Sequence, residues 1–115
     1  MTKTSVVEEQ DLENLSSLFR LLSDKTRLNI LMLLASGERN VTNLCELLSL
    51  PQPTVSHHLG LLRLNSVIGN RRMGKQVFYR LNGNVDASHS SVTIEVHGYD
   101  VRISRKGDQV THAIS

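Results

Sequence analysis

The chain has 115 residues, a single cysteine and a formal net charge of +2 at pH 7. That length suits one domain, or one domain with a short appendage, and one cysteine excludes a disulfide within the chain. No apolar run reaches the ~20 residues that a membrane span requires and no signal peptide is evident, so we expect a cytoplasmic protein without a membrane partner.

The first part of the chain has the apolar periodicity of a helix. Apolar residues recur at helical spacing over residues 8–22 and predict a first helix there. This helix carries more leucine than a small domain readily hides, so it is the candidate for the contact of any dimer that the chain forms. Asp24 can cap a second helix and Gly37 is placed to end it. The apolar stripe of the second helix is predicted to be Leu28, Leu31, Leu34 and Ala35.

A helix-turn-helix follows. Thr42 can cap a third, short helix, and its predicted inward residues are Leu44, Leu47 and Leu48. Pro51 pushes the residue before it out of the helical region, which ends that helix near Ser49. Proline suits the first helical position, so Gln52 is the predicted N-cap and a fourth helix is predicted to begin at Pro53. A turn of about four residues between two helices is typical of this motif.

The fourth helix has two predicted faces. Val55, Leu59 and Leu62 form an inward stripe, whereas Thr54 and His57 point away and Ser56 lies to one side. In a helix-turn-helix, the first residues of the second helix reach base edges in the major groove. Glutamine can pair with adenine, hydroxyl groups can serve any base, and His57 can donate to a phosphate or a base. A plain solvent-facing surface explains this stretch equally well.

A basic hairpin is predicted directly after that helix. "SVIGNRRMGKQVFYRL" reads as two strands around a turn at Met73–Lys75. Residues 47–85 contain no acidic residue, which indicates a surface that faces an anion, although charge alone favours a solvated basic face. The cations at the tip, which are placed to contact phosphate or enter a minor groove, are Arg71, Arg72 and Lys75.

The C-terminal third has a different composition. Every leucine lies between Leu12 and Leu81, and beyond Asn84 the apolar residues are almost all valine and isoleucine. "SVTIEVHGYDVRISR" alternates with a period of two and predicts a β-hairpin turning at Gly98. We therefore expect a winged helix-turn-helix domain over 8–82, a linker over 83–91, a β-hairpin over 92–105 and a tail over 106–115.

Residues 22–82 resemble the ArsR/SmtB family of winged-helix repressors. The resemblance is carried by "LSDKTRLNIL", "QPTVSHHL" and "RRMGKQVFYRL", in that order. It implies a mainly α fold with a small amount of β (α+β), and a homodimeric repressor that leaves double-stranded DNA when an effector binds. The positions that usually meet the operator in this family are occupied by Gln52, Pro53, Ser56 and His57. Family members usually end in a helix, which the predicted hairpin replaces here.

The family's metal sites are not matched. Many members bind soft metals through a Cys-Val-Cys-Asp-Leu run, and the matching residues here begin with Asn40, Val41 and Thr42. Soft metals prefer thiolates, so no metal or other cofactor is predicted. Asp86, His89, His97 and His112 are potential ligands, but their spacing matches no zinc pattern. Cys45 is interpreted as a small core residue.

The sequence argues against two other classes of function. An enzyme is not expected, because adjacent Ser56 and His57 diverge on a helix and cannot form a proton relay. A winged-helix module that binds proteins and not DNA is the alternative to a DNA-binding regulator. The absence of acidic residues over 47–85 argues against that alternative. The sequence does not identify the effector.

Overall fold

The computed structural model describes residues 8–96 and 98–107. Four helices precede most of the strands: α1 (Glu9–Leu22), α2 (Lys25–Ala35), α3 (Val41–Leu48) and α4 (Gln52–Leu64), with the short strand β1 (Arg39–Asn40) between α2 and α3. Five further strands follow: β2 (Ile68–Met73), β3 (Gln76–Leu81), β4 (Val85–Ala87), β5 (Ser91–Val96) and β6 (Tyr99–Ser104).

The strands form two antiparallel sheets of three. The first has the order β1-β3-β2 and contains the predicted basic hairpin, formed by β2 and β3 and named the wing from here on, in which Met73 faces Gln76 across the turn. The second has the order β4-β5-β6, and Val96 faces Tyr99 where β5 turns into β6. The predicted C-terminal β-hairpin is therefore confirmed, with Gly98 at a φ of 83° that suits glycine.

One hydrophobic core joins the helices to the second sheet. Fully buried side chains from α2, α3 and α4 pack with residues on both sides of the wing. Val85 on β4 and Ile94 on β5 belong to the same cluster. Because burial of such side chains is worth about 1.5–3 kcal/mol each, the C-terminal sheet contributes to the stability of the helical part.

The predicted linker over 83–91 contains a short strand. Val85–Ala87 forms β4 and pairs with β5, so that Val85 faces Ile94. The division of the chain into two units at this segment stays a prediction. The predicted tail over 106–115 is described only as far as residue 107.

Several predicted details of the helices are wrong. Asn40, not Thr42, caps α3, because its side-chain oxygen accepts from the backbone N–H of Asn43 at 2.8 Å. Helix α4 begins at Gln52 with Pro51 as its N-cap, one residue earlier than predicted. Leu28 and Leu47 are exposed, by 39% and 50%, whereas Ile30, which was left out of the predicted stripe, is fully buried. Asp24 caps α2 as predicted.

Candidate nucleic-acid interface

The turn between α3 and α4 is short and rigidly defined. Ser49 adopts the left-handed conformation at a φ of 56°, and the backbone N–H of Leu50 donates to the carbonyl of Cys45 at 3.2 Å. The carbonyl of Pro51 then accepts from the N–H groups of Thr54 and Val55. These bonds end one helix and start the next within three residues, which fixes the direction of α4.

The inner and outer faces of α4 are as the sequence predicts. Val55, Leu59 and Leu62 are at most 1% exposed. On the opposite side, Gln52, Pro53, Ser56 and His57 are exposed, and Thr54 is half-buried. The first two turns of α4 therefore offer an amide, a hydroxyl group and an imidazole to solvent.

Helix α4 is tied to α2 by a contact that the sequence analysis missed. Nη1 of Arg27 lies 3.2 Å from Nδ1 of His58, and because arginine can only donate, the histidine nitrogen accepts. The same guanidinium donates to the carbonyls of Leu21 and Arg20 at 2.7 and 3.4 Å. The pair is separated by 31 residues, so no local sequence signal could have revealed it.

The wing approaches the beginning of α4. Gln52 and Lys75 line one cleft together with Gln76, the first residue of β3. Nδ2 of Asn40 donates to Oε1 of Gln76 at 3.1 Å, and this bond connects the start of α3 to the base of the turn. The structure thus brings a predicted base-reading residue and a predicted phosphate-binding residue to the same cleft.

The three cations predicted at the wing are not equivalent. Arg72 and Lys75 are exposed, and neither forms an ion pair with any residue that the structure describes. Arg71 instead donates to both carboxylate oxygens of Glu38, from Nε at 2.9 Å and from Nη2 at 2.7 Å. These bonds lower the pKa of Glu38 and raise the pKa of Arg71. Nη1 of Arg80 lies 3.9 Å from the same carboxylate.

The structure describes two of the four potential metal ligands, Asp86 and His89. Among residues 8–96 and 98–107, no group of three or more His, Cys, Asp or Glu side chains is placed to hold a metal ion. Cys45 is half-buried in α3, and His97 and His112 lie outside the described residues.

The helices that are described are all too short or too polar to traverse a bilayer.

A helix-turn-helix followed by a β-hairpin defines a winged helix-turn-helix protein. A family model for "Bacterial regulatory protein, arsR family" matches residues 24–63. The transcriptional repressor SdpR of Bacillus subtilis (strain 168) is 35% identical over 71 residues, which span 62% of this chain and 79% of SdpR. The chain belongs to the arsR family of bacterial regulatory proteins.

Two further relatives indicate how far the similarity reaches. The arsenical resistance operon repressor of Escherichia coli (strain K12) is 45% identical over 71 residues, which are 61% of each chain. The match thus spans less than two thirds of that repressor. The homodimeric winged helix-turn-helix DNA-binding domain of Mb0332 from Mycobacterium bovis has a TM-score of 0.64 and 30% identity, covering 72% of this chain and 77% of that domain.

Proposed function

We propose that this chain is a sequence-specific DNA-binding transcriptional repressor. The observation that carries the proposal is the surface formed by the start of α4 and the tip of the wing. Gln52 and Lys75 line the same cleft there, and residues 47–85 contain no acidic side chain. Regulators and repressors among its relatives support the same assignment, and no enzyme is proposed.

The two parts of this surface have different roles in the proposal. Helix α4 enters the major groove, where Gln52, Thr54, Ser56 and His57 read base edges and Pro53 makes an apolar contact. Arg72 and Lys75 of the wing contact phosphates or enter the minor groove. Arg71 contributes less net charge to this surface, because two of its five N–H donors are bonded to the Glu38 carboxylate.

The repressor is proposed to act as a homodimer. The Mb0332 domain is described as homodimeric, and α1 of this chain presents Leu12 and Phe19 to solvent with exposures of 50% and 55%. Both side chains line one apolar groove with Leu15. The exposed α1 groove supports the first helix as a contact between two protomers.

The alternative, a protein-binding winged helix without DNA binding, is less well supported. A surface that binds only proteins has no reason to exclude acidic residues over 39 consecutive positions (47–85). The proposal is therefore framed around a phosphate backbone, which is the partner that such a charge distribution fits.

The test is a titration of the protein onto its own upstream DNA at several salt concentrations. A dimer that places Arg72 and Lys75 on phosphates makes about four contacts and gives a slope of log K against log salt near −3.6. If Arg71 also contacts a phosphate in each protomer, about six contacts give a slope near −5.4. Absence of binding at low salt contradicts the proposal, and binding with the same affinity for random DNA contradicts sequence specificity.

A further inference from the structure

The C-terminal sheet has one long uncovered edge. The strand order β4-β5-β6 leaves β6 paired on one side only, and no other described strand meets its second side. Natural proteins guard such edges with charged side chains, above all lysine, with proline or with a bulge. Tyr99–Ser104 has no lysine, proline or bulge, and its charged residues are one of each sign, Asp100 and Arg102. Ile103 on this strand is 57% exposed.

The backbone groups that point outward from this edge can be identified. The N–H of Arg105 donates to the carbonyl of Ser90, on the side of β5. Because the direction of these groups alternates along a strand, Val101 and Ile103 also bond toward β5. The free donors and acceptors of β6 therefore belong to Asp100, Arg102 and Ser104.

The charges on β6 are opposite in sign and spaced two residues apart. Asp100 and Arg102 are both exposed and share the outer face of the sheet. Within the chain, Asp100 lies directly across from Glu95, a like-charge pair that is unfavourable. Asp100 has no cationic partner among the described residues, so its carboxylate is better placed with a positive charge on its uncovered side.

We propose that the β6 edge binds the β6 edge of a second copy of this chain, antiparallel, with Val101 on the two-fold axis. In this register Asp100 faces Arg102 of the other copy, and both residues have outward-pointing backbone groups that can exchange hydrogen bonds. Shifting the register by one residue pairs outward groups with inward ones. Centring it on Asp100 or on Arg102 places two identical charges across from each other.

The register also joins apolar residues on the inner face. Tyr99 faces Ile103 of the other copy, an aromatic and β-branched pair of the kind that stabilises antiparallel strands. The edge strand β2 of the first sheet is less suited to pairing with a second copy of itself. It carries two adjacent positive charges, Arg71 and Arg72. The proposed contact is a second interface between copies, distinct from the α1 contact of the homodimer, and it does not depend on the DNA-binding function.

The experiment uses disulfide trapping in full-length protein with Cys45→Ser. Val101→Cys places two thiols across the two-fold axis in a non-hydrogen-bonded pair, whose Cα separation of about 4.5 Å fits a disulfide. We expect rapid covalent dimer formation under mild oxidation. Ser104→Cys is the matched control, because its two copies are separated by about six residues, or roughly 20 Å. Equal trapping of both variants contradicts the register.

Charge reversal in the Val101→Cys protein tests the pairing itself. Asp100→Arg alone and Arg102→Asp alone each place like charges across the axis and are expected to slow trapping about tenfold. A mixture of the two single variants restores every opposite-charge pair and is expected to form mixed dimers rapidly, which also shows that both variants fold. Slow trapping in the mixture, or unchanged trapping in the single variants, overturns the proposal.

Discussion

Glu38 and Arg71 connect the segment before β1 to the wing through two hydrogen bonds of 2.9 and 2.7 Å. The two residues are separated by 33 positions in the sequence. Their pairing neutralises a charge that would otherwise stand beside Arg72, and it links β2 to the segment that precedes β1. Glu38 therefore fixes the position of the Arg71 side chain.

The first prediction concerns acid stability. Arg71 lowers the pKa of Glu38 below its ordinary value of 4.5 in the folded protein. A carboxyl with a lowered folded pKa stabilises above its unfolded pKa and loses that contribution as the pH falls through the folded value. We expect the melting temperature of the wild type to fall more steeply below pH 4.5 than that of Glu38→Gln. Glu46→Gln, which alters an exposed carboxylate of α3, serves as control and is expected to follow the wild type.

The second prediction concerns the same residue and DNA. Glu38→Gln removes the negative charge that competes with phosphate for Arg71, so we expect tighter binding to any duplex. If Arg71 then meets a phosphate in each protomer, the slope of log K against log salt steepens by about 1.8. The measurement is the salt titration described above. A slope identical to the wild type means that Arg71 does not reach the DNA backbone.

The third prediction addresses the packing of α4 on α2. Arg27→Ala leaves the Leu21 carbonyl and Nδ1 of His58 without their donor, and Arg27 is itself only 14% exposed. Hydrogen bonds from a charged group are worth about 1.5–3 kcal/mol, so we expect unfolding in urea to require about that much less free energy. Arg63→Ala, at an exposed arginine of α4, is the control and is expected to stay within about 0.5 kcal/mol.

The fourth prediction separates reading of bases from binding of phosphates. His57→Ala and Gln52→Ala are expected to reduce discrimination between operator and random DNA by roughly 1–3 kcal/mol each. Arg72→Ala is expected to weaken both DNAs equally, because a phosphate contact carries no sequence information. An unchanged ratio of affinities in His57→Ala would remove this histidine from the proposed readers.

The fifth prediction concerns metals. Asn40 uses both ends of its side-chain amide, accepting from Asn43 and donating to Gln76. It occupies the position that matches the first cysteine of the Cys-Val-Cys-Asp-Leu run with which many ArsR/SmtB members bind soft metals. We expect zinc, cadmium and arsenite to show no tight stoichiometric binding in calorimetry, because soft metals prefer thiolates. Asn40→Cys combined with Thr42→Cys is the positive counterpart and is expected to bind cadmium. Tight binding by the wild type contradicts the prediction.

Local patterns predicted the larger elements of the fold. Leucine at helical spacing gave α1, α3 and α4, and alternation of valine and isoleucine gave β5 and β6. The start of α3 was misplaced because two possible capping residues, Asn40 and Thr42, stand two positions apart and only the fold decides between them. Strand β4 was missed because three residues acquire their structure from pairing with β5 and carry little signal of their own.

The limits of prediction from the sequence are clearest at the candidate site. The exposed face of α4 follows from periodicity, so Gln52 and His57 could be singled out from the sequence. Arg71, Arg72 and Lys75 look alike in sequence, and only the position of Glu38 distinguishes the first from the other two. Ion pairs and hydrogen bonds between distant residues arise from tertiary packing, which composition and spacing do not encode.

Burial decreases along the wing from its base to its tip. Ile68 is 1% exposed, whereas residues 72–75, beyond the hydrogen bonds of Arg71 and Gln76, are all exposed. Local opening of a structure requires little free energy where few apolar contacts must be broken. The tip can therefore open and close many times while the base stays folded, and its backbone loses conformational freedom when it is held against a ligand. Part of the attraction of Arg72 and Lys75 for an anion is offset by that loss of entropy, so the same two cations on a stiffer turn would bind more tightly.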